Sequence, residues 1–108
     1  MRRARVELNQ DPRGLHLGPI SQVARGILRR NATIILSRDG QSCTLDTRLP
    51  AFELIRAAGA LGLTAGTAFE VACGGPEAEA AFDALRQGFT EGPFAGSTFT
   101  ALPPSPEA

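Results

Sequence analysis

The feature that most constrains the fold is the alternation of one-sided helical segments with short strand-like runs. Ile20, Val23, Ala24, Ile27 and Leu28 form one apolar stripe at helical spacing, with arginines off the stripe. Two further one-sided helices and four strand-like runs give the order β-α-β-β-α-β-α. Helices that are apolar on one face only, interleaved with strands, predict an α+β sandwich. We expect a four-stranded antiparallel sheet with the three helices on one face.

Local signals set the expected boundaries. The strands are predicted at residues 3–8, 32–37, 41–45 and 68–73, and the helices at 19–30, 50–62 and 76–87. Arg38-Asp39-Gly40 has the composition of a hairpin turn. Asn31 tolerates the left-handed conformation and is predicted to end the first helix.

The C-terminal residues differ in composition from the rest. Residues 90–108 are rich in Gly, Pro, Ser and Thr and show little periodicity. The predicted organisation is therefore a domain at 1–89 followed by a flexible tail at 90–108. Phe94 and Phe99 are the side chains able to dock part of this tail onto the domain.

Charge and cysteine usage exclude several function classes. The formal net charge is zero and all eleven cationic residues are Arg, so no basic field favours nucleic acid or an anionic membrane. No apolar run predicts a signal core or membrane insertion, and we expect a cytoplasmic protein. Cys43 and Cys73 lie in strand-like runs and are interpreted as buried, reduced thiols. One histidine and no closely spaced cysteine pair argue against a metal site, and no cofactor is expected.

The only histidine lies where a strand leads into the first helix, in Gly14-Leu15-His16-Leu17-Gly18-Pro19. Neutral imidazole is nucleophilic near physiological pH, and a helix N-terminus offers unpaired N–H groups to an anion. His16 is therefore the candidate phosphoryl acceptor. The backbone N–H groups of Leu17 and Gly18 are candidates to hold the phosphoryl group, with Arg13 as a nearby cation.

This segment resembles the active-site segment of HPr, the histidine phosphocarrier family of the sugar phosphotransferase system. Leu61-Gly62-Leu63-Thr64-Ala65-Gly66-Thr67, followed by a strand and a helix, is similar to the second half of the same family. The resemblance covers roughly residues 3–88. It implies a divergent member with the HPr open-faced sandwich fold.

The resemblance also implies a function. In that family the histidine accepts phosphate on Nδ1 from phospho-enzyme I and passes it to a second protein, usually an EIIA domain. We therefore expect a monomeric phosphocarrier with an enzyme I-like donor and an EIIA-like acceptor, rather than a stand-alone enzyme. The expected partner surface lies at the starts of the first two helices. Its candidate residues are Leu15, Ile20 and Phe52, with Arg25 and Arg48 as rim charges.

The sequence departs from the family pattern at two positions. Gly18 stands where the family usually has an arginine that serves the phosphoryl group. Leu54 stands where a regulatory serine usually begins the second helix, and no serine lies between Ser42 and Ser97. These departures support an alternative, a regulatory or protein-binding module on the HPr scaffold without efficient transfer. A small enzyme is a third possibility, but no nucleophile–base pair or phosphate-cradling glycine loop supports it.

Overall fold

The computed structural model describes residues 1–10 and 17–104, and of Leu17 the backbone alone. The strands are β1 (Arg2–Glu7), β2 (Thr33–Arg38), β3 (Gln41–Leu45), β4 (Ala68–Gly74) and β5 (Thr98–Leu102). The helices are α1 (Leu17–Ile27), α2 (Pro50–Leu61) and α3 (Ala78–Gly88), with a short 3₁₀ turn at Gly92–Phe94. The predicted order of elements is confirmed as far as α3.

The sheet is open and entirely antiparallel, in the order β3-β2-β4-β1-β5. It has one strand more than the four that the sequence predicted. β5 pairs with β1 from Arg3 opposite Leu102 to Glu7 opposite Thr98. The prediction of a flexible tail is therefore corrected for residues 92–102. These residues are held because Phe94 is 1% exposed and Phe99 packs edge-on against Phe82, with ring centroids 5.2 Å apart.

All three helices lie against one face of the sheet, as predicted. Alternation along each inner strand turns one set of side chains towards the helices. Val6, Ile34 and Val71 are fully buried in this way. The largest fully buried side chains are Phe89, Phe94, Ile20, Ile27, Ile34, Leu36, Leu85, Val6, Val23, Val71 and Cys73. Both layers of the sandwich thus contribute to one core.

The sequence predicted the hairpin turn between β2 and β3 correctly, but it placed the end of the first helix too late. The hairpin between β2 and β3 is as predicted, with Asp39 at φ 52° and Gly40 at φ 80°, the paired positive values of a type I′ turn. The first helix ends earlier than expected, at Ile27, and Arg29 at φ 59° takes the left-handed conformation predicted for Asn31. The N–H of Arg29 donates to the carbonyl of Thr47 at 2.7 Å, which draws the chain out of the helix.

Candidate functional site

The helix that follows the candidate histidine was predicted from residue 19 and is described from Leu17, two residues earlier. Leu17 is the first described residue after His16 in the sequence. The first turn of α1 contains no acidic side chain. No carboxylate of this turn therefore competes for the unpaired N–H groups or offsets the positive end of the helix dipole. His16, Arg13 and Leu15 themselves lie outside the described residues.

Gly18 is exposed, and a Cβ built on it meets no heavy atom of the described residues within 4 Å. Pro19 follows it and has no N–H to donate. The first turn therefore offers backbone donors but no cationic side chain. A larger residue at position 18 has room on this surface.

The chain that leads towards the candidate histidine is fixed by the second sequence motif. The N–H of Leu8 donates to Thr67 O at 2.9 Å, and the N–H of Gly66 donates to Asn9 O at 2.9 Å. Gly66 has φ 78°, and a Cβ there would lie 2.6 Å from Nε2 of Gln10. The turn at 64–67 thus needs glycine for its conformation and for its close approach to this chain. The second motif therefore contacts residues 8–10, which precede the first motif in the sequence.

An apolar groove runs beside α1 and has a volume of about 440 Å³. The residues that line it are Ser21, Ala24 and Arg25 from α1, Leu28 directly after it, and Arg48, Leu49, Pro50, Ala51 and Phe52 from the start of α2 and the loop before it. Phe52 is 67% exposed, Leu49 62% and Leu28 48%. Exposed apolar clusters of this kind mark protein–protein contact sites.

The expected partner residues are only partly brought together. Phe52, Arg25 and Arg48 lie at the groove, whereas Leu15 is outside the described residues. Ile20 is 1% exposed and packs in the core, so its assignment to the partner surface is corrected. Its place on the apolar stripe of α1 turns it towards the sheet.

Sequence reasoning missed the apolar groove residues Leu28 and Leu49. Leu28 was assigned to the buried stripe of the first helix, but it follows the last helical residue and is half exposed. The sequence signal for Leu49 was its position directly before Pro50. Because α2 begins at Pro50, Leu49 precedes the helix and its side chain is not part of the buried helical face.

The loop before α2 is fixed by ionic and backbone contacts. Arg48 forms a two-pronged pair with Asp46, Nε to Oδ1 at 3.0 Å and Nη2 to Oδ2 at 2.7 Å. The side-chain hydrogen bond from Arg48 lowers the pKa of Asp46 to about 2, and the same bond raises the pKa of Arg48. Thr47 Oγ1 donates to Arg30 O at 2.9 Å, which ties the loop to the end of α1. These contacts fix the loop that forms one side of the groove.

A second ion pair holds the first turn of α2. Glu53 accepts from Arg56 Nε at 2.9 Å and from the N–H of Asp46 at 3.0 Å. The Arg56 hydrogen bond, followed by that from Asp46, lowers the pKa of the Glu53 carboxyl. Within the described residues, Arg25 has no ion pair, so the groove carries one uncompensated positive charge.

Other candidate chemistry lies away from the groove. Both cysteines are free; Cys73 is buried and Cys43 half-buried. Burial raises the pKa of Cys73 to about 12, which keeps this thiol protonated and unreactive at neutral pH. Among residues 1–10 and 17–104, no cluster of three His, Cys, Asp or Glu is arranged to hold a metal ion. No helix in the same residues has the length and hydropathy needed to cross a membrane.

Solved structures of HPr phosphocarrier proteins share this fold. HPr-C-His from Thermoanaerobacter tengcongensis superimposes with a TM-score of 0.61 at 21% identity, over 79% of this chain and 86% of that one. The histidine-containing phosphocarrier protein of Mycoplasma gives a TM-score of 0.60 at 20% identity, over 81% of this chain and 91% of that one. No family model and no curated protein matches the chain. The resemblance drawn from the sequence is thus confirmed as a likeness of fold.

Proposed function

We propose, from the premise of an HPr-like fold, that this chain is a cytoplasmic phosphoryl carrier. His16 accepts a phosphoryl group from an enzyme I-type donor and passes it to an EIIA-like acceptor. The observation that carries the proposal is that the chain is helical from Leu17, the first residue described after the only histidine in the sequence. The N–H groups of Leu17 and Gly18, which follow His16 in the sequence, are the proposed donors to the phosphoryl group.

The chemistry asks for a site that holds phosphate loosely. Neutral imidazole attacks the phosphorus of the donor, and the bond to the donor's leaving group breaks as the N–P bond forms. An exposed helix N-terminus stabilises a nearby negative charge by roughly 0.3–1 kcal/mol. Stabilisation of that size leaves the phosphoryl group free to move on to an acceptor.

The groove supports the proposal because it lies close to the start of α1. Ser21, which lines the groove, follows Leu17 by four residues, which corresponds to roughly 6 Å along a helix axis. A partner seated on Phe52, Leu49 and Leu28 thus reaches the start of α1 with its own reacting group. The Arg25 charge at the groove favours a partner with an acidic rim.

The direct test is phosphorylation by enzyme I and phosphoenolpyruvate, followed by intact-mass measurement. We expect a gain of one phosphate that is lost in acid and absent in His16→Ala. Phe52→Ala should slow phosphoryl transfer from the donor to His16, which this variant retains. Asp83→Ala changes an exposed residue away from the groove and serves as the control, with an unchanged rate. No mass gain with enzyme I proteins from several sources would refute the proposal.

The second candidate is a protein-binding module that does not transfer phosphate. The observation that favours it is Gly18, which leaves the first turn without a cationic side chain. Gly18→Arg discriminates the two, because the open space at this position accepts the longer side chain. Faster phosphorylation in Gly18→Arg supports a carrier with a weakened site. A partner whose binding is unchanged in His16→Ala supports the module.

A further inference from the structure

We propose that the outer face of α2 pairs with the same face of a second copy of this chain. This outer face consists of Phe52, Ile55 and Gly59, which are exposed and uncharged. The two helices run antiparallel, and Phe52 of each copy packs on Gly59 of the other. The pairing goes beyond the proposed function and does not depend on it.

Gly59 lies inside α2, and the packing of the described residues does not require a glycine there. A Cβ built on it meets no heavy atom of those residues within 4 Å, and its φ is not positive. Gly26 in α1 differs, because a Cβ there would lie 2.8 Å from the Cβ of Ala84. A glycine in a helix interior is about 1 kcal/mol less favourable than alanine. The space that Gly59 leaves open is therefore available to another molecule.

The bulky residues of the outer face are also without cover. Phe52 is 67% exposed and Ile55 is 44% exposed. Phe52 lines the groove beside α1, but Ile55 does not, so the groove does not account for Ile55. Seven residues make almost two helical turns, so Phe52 and Gly59 point in the same direction, about 10 Å apart along the helix axis. The outer face thus has a bulky side chain near its start and an open space near its end.

This arrangement selects a second copy as the occupant because the face is complementary to itself. In an antiparallel pair related by a two-fold axis, the start of each α2 lies beside the end of the other, and each contact occurs twice. Phe52 of each copy then fills the space over Gly59 of the other, and the two Ile55 side chains meet near the axis. The distance between packed helices depends on the side chains at the contact, and glycine allows the closest approach.

The charges beside the outer face also favour a second copy. Arg56 is turned towards β3, where it donates from Nε to Glu53 Oε2 at 2.9 Å and from Nη2 to Thr44 O at 3.3 Å. The outer face therefore brings no uncompensated charge to its own copy. The groove beside α1 differs, since Arg25 has no ion pair among the described residues. Two copies joined at the groove would bring like charges together, which is unfavourable.

The contact is small, so the dimer is weak. α2 has 12 residues and contributes one face, and interfaces below about 1,200 Å² of total buried area belong to weak or transient contacts. We expect a dissociation constant of about 0.1–1 mM, which leaves the protein monomeric in dilute solution. Because Phe52 also lies at the groove, the dimer covers part of the surface proposed to bind the phosphoryl donor.

The test is sedimentation equilibrium of the whole chain from about 0.01 to 2 mM, a range that brackets the expected dissociation constant. Gly59→Gln places a long polar side chain where Phe52 of the other copy packs, and it should weaken dimerisation by about tenfold or more. The variant should fold, because the position is open in the single chain. Ala60→Gln adds the same side chain at an exposed position about 100° further round the helix, and it should leave the dissociation constant within about twofold.

A second measurement identifies the face that pairs. In a mixture of ¹³C-labelled and unlabelled protein, isotope-filtered NOEs arise only between copies. We expect NOEs from the Phe52 ring to Gly59 and between the two Ile55 side chains, and their loss in Gly59→Gln.

The proposal is overturned by a chain that stays monomeric at about 2 mM, above the expected dissociation constant. It is also overturned if Gly59→Gln dimerises as strongly as wild type, or if the NOEs between copies join residues outside α2. None of these measurements involves a phosphoryl donor. Failure of enzyme I to phosphorylate the chain would refute the phosphocarrier proposal alone.

Discussion

Phe94→Ala measures how far the C-terminal residues belong to the folded core. Phe94 is 1% exposed and stacks at a tilt on Phe89, which in turn meets Phe69 edge-on at 5.5 Å. Burying a phenylalanine side chain contributes about 1.5–3 kcal/mol. The cavity left by truncation adds to that loss, and Phe→Ala changes in cores cost about 3–5 kcal/mol. A phenylalanine in a flexible tail would cost almost nothing.

The expected loss is large enough to read as a melting shift. With an unfolding entropy of about 2.1 cal/mol/K per residue, a chain of 108 residues loses about 4.4 °C of melting temperature per kcal/mol, so Phe94→Ala should melt about 13–22 °C lower. The chain has no Trp or Tyr, so helical circular dichroism or calorimetry must follow the transition. Urea unfolding by circular dichroism gives the free energy independently.

Phe52→Ala is the matched control because the same atoms are removed from a side chain that is 67% exposed. Its unfolding free energy should change by less than about 0.5 kcal/mol. The reasoning is refuted if Phe94→Ala costs less than about 1 kcal/mol, or if the two variants are equally stable.

Two further predictions concern helix packing and pH. A Cβ at Gly26 in α1 would lie 2.8 Å from the Cβ of an alanine on α3, whereas a Cβ at Gly59 in α2 meets nothing within 4 Å. Both sites gain about 1 kcal/mol of helix propensity on substitution by alanine, but overpacking costs about 1–3 kcal/mol at the first. Urea unfolding should therefore place Gly26→Ala about 1–3 kcal/mol below Gly59→Ala, and equal stabilities would contradict the close approach. The pKa of Asp46 is lowered to about 2 in the folded protein, so its stabilising effect is full above about pH 4 and is lost as pH falls towards 2. The melting-temperature advantage of wild type over Asp46→Asn should shrink across that interval, and an advantage independent of pH would contradict the ion pair.

Hydrophobic periodicity predicted most of the fold because each element turns one face to a shared core. The helical stripe from Ile20 to Ile27 and the alternation in β4 are local patterns, and so is the Asp39-Gly40 turn. Each can be read without knowing its neighbours in space. The order of elements up to α3 was therefore available from the sequence.

The fifth strand was not predictable from its own residues. Thr98-Phe99-Thr100-Ala101-Leu102 is short, half polar and followed by two prolines, a composition typical of a tail. It forms a strand because it pairs with the edge of β1, which is more than ninety residues away in the sequence. Tertiary context of this kind outweighs local strand propensity.

The candidate site was predicted only in part, because some of its features depend on local sequence and others on long-range contacts. Local signals predicted a helix after His16, although from residue 19 rather than Leu17, and they also predicted the exposure of Phe52 near the start of α2. Burial of Ile20 and exposure of Leu28 depend on which neighbour covers each position of one stripe. The hydrogen bonds of Asn9 with residues 93–97 join positions more than eighty residues apart, which no local pattern shows.

The fifth strand also changes what the sheet presents to other chains. An uncovered edge strand exposes unpaired backbone groups that invite strand addition by another molecule. β5 covers the edge of β1 and offers only five residues of its own. Pro103 and Pro104 follow directly and have no N–H to donate, while Arg3 Nη1 occupies the carbonyl of Pro103 at 3.3 Å. Growth of the sheet on this side is thus confined to one short strand that ends in two prolines.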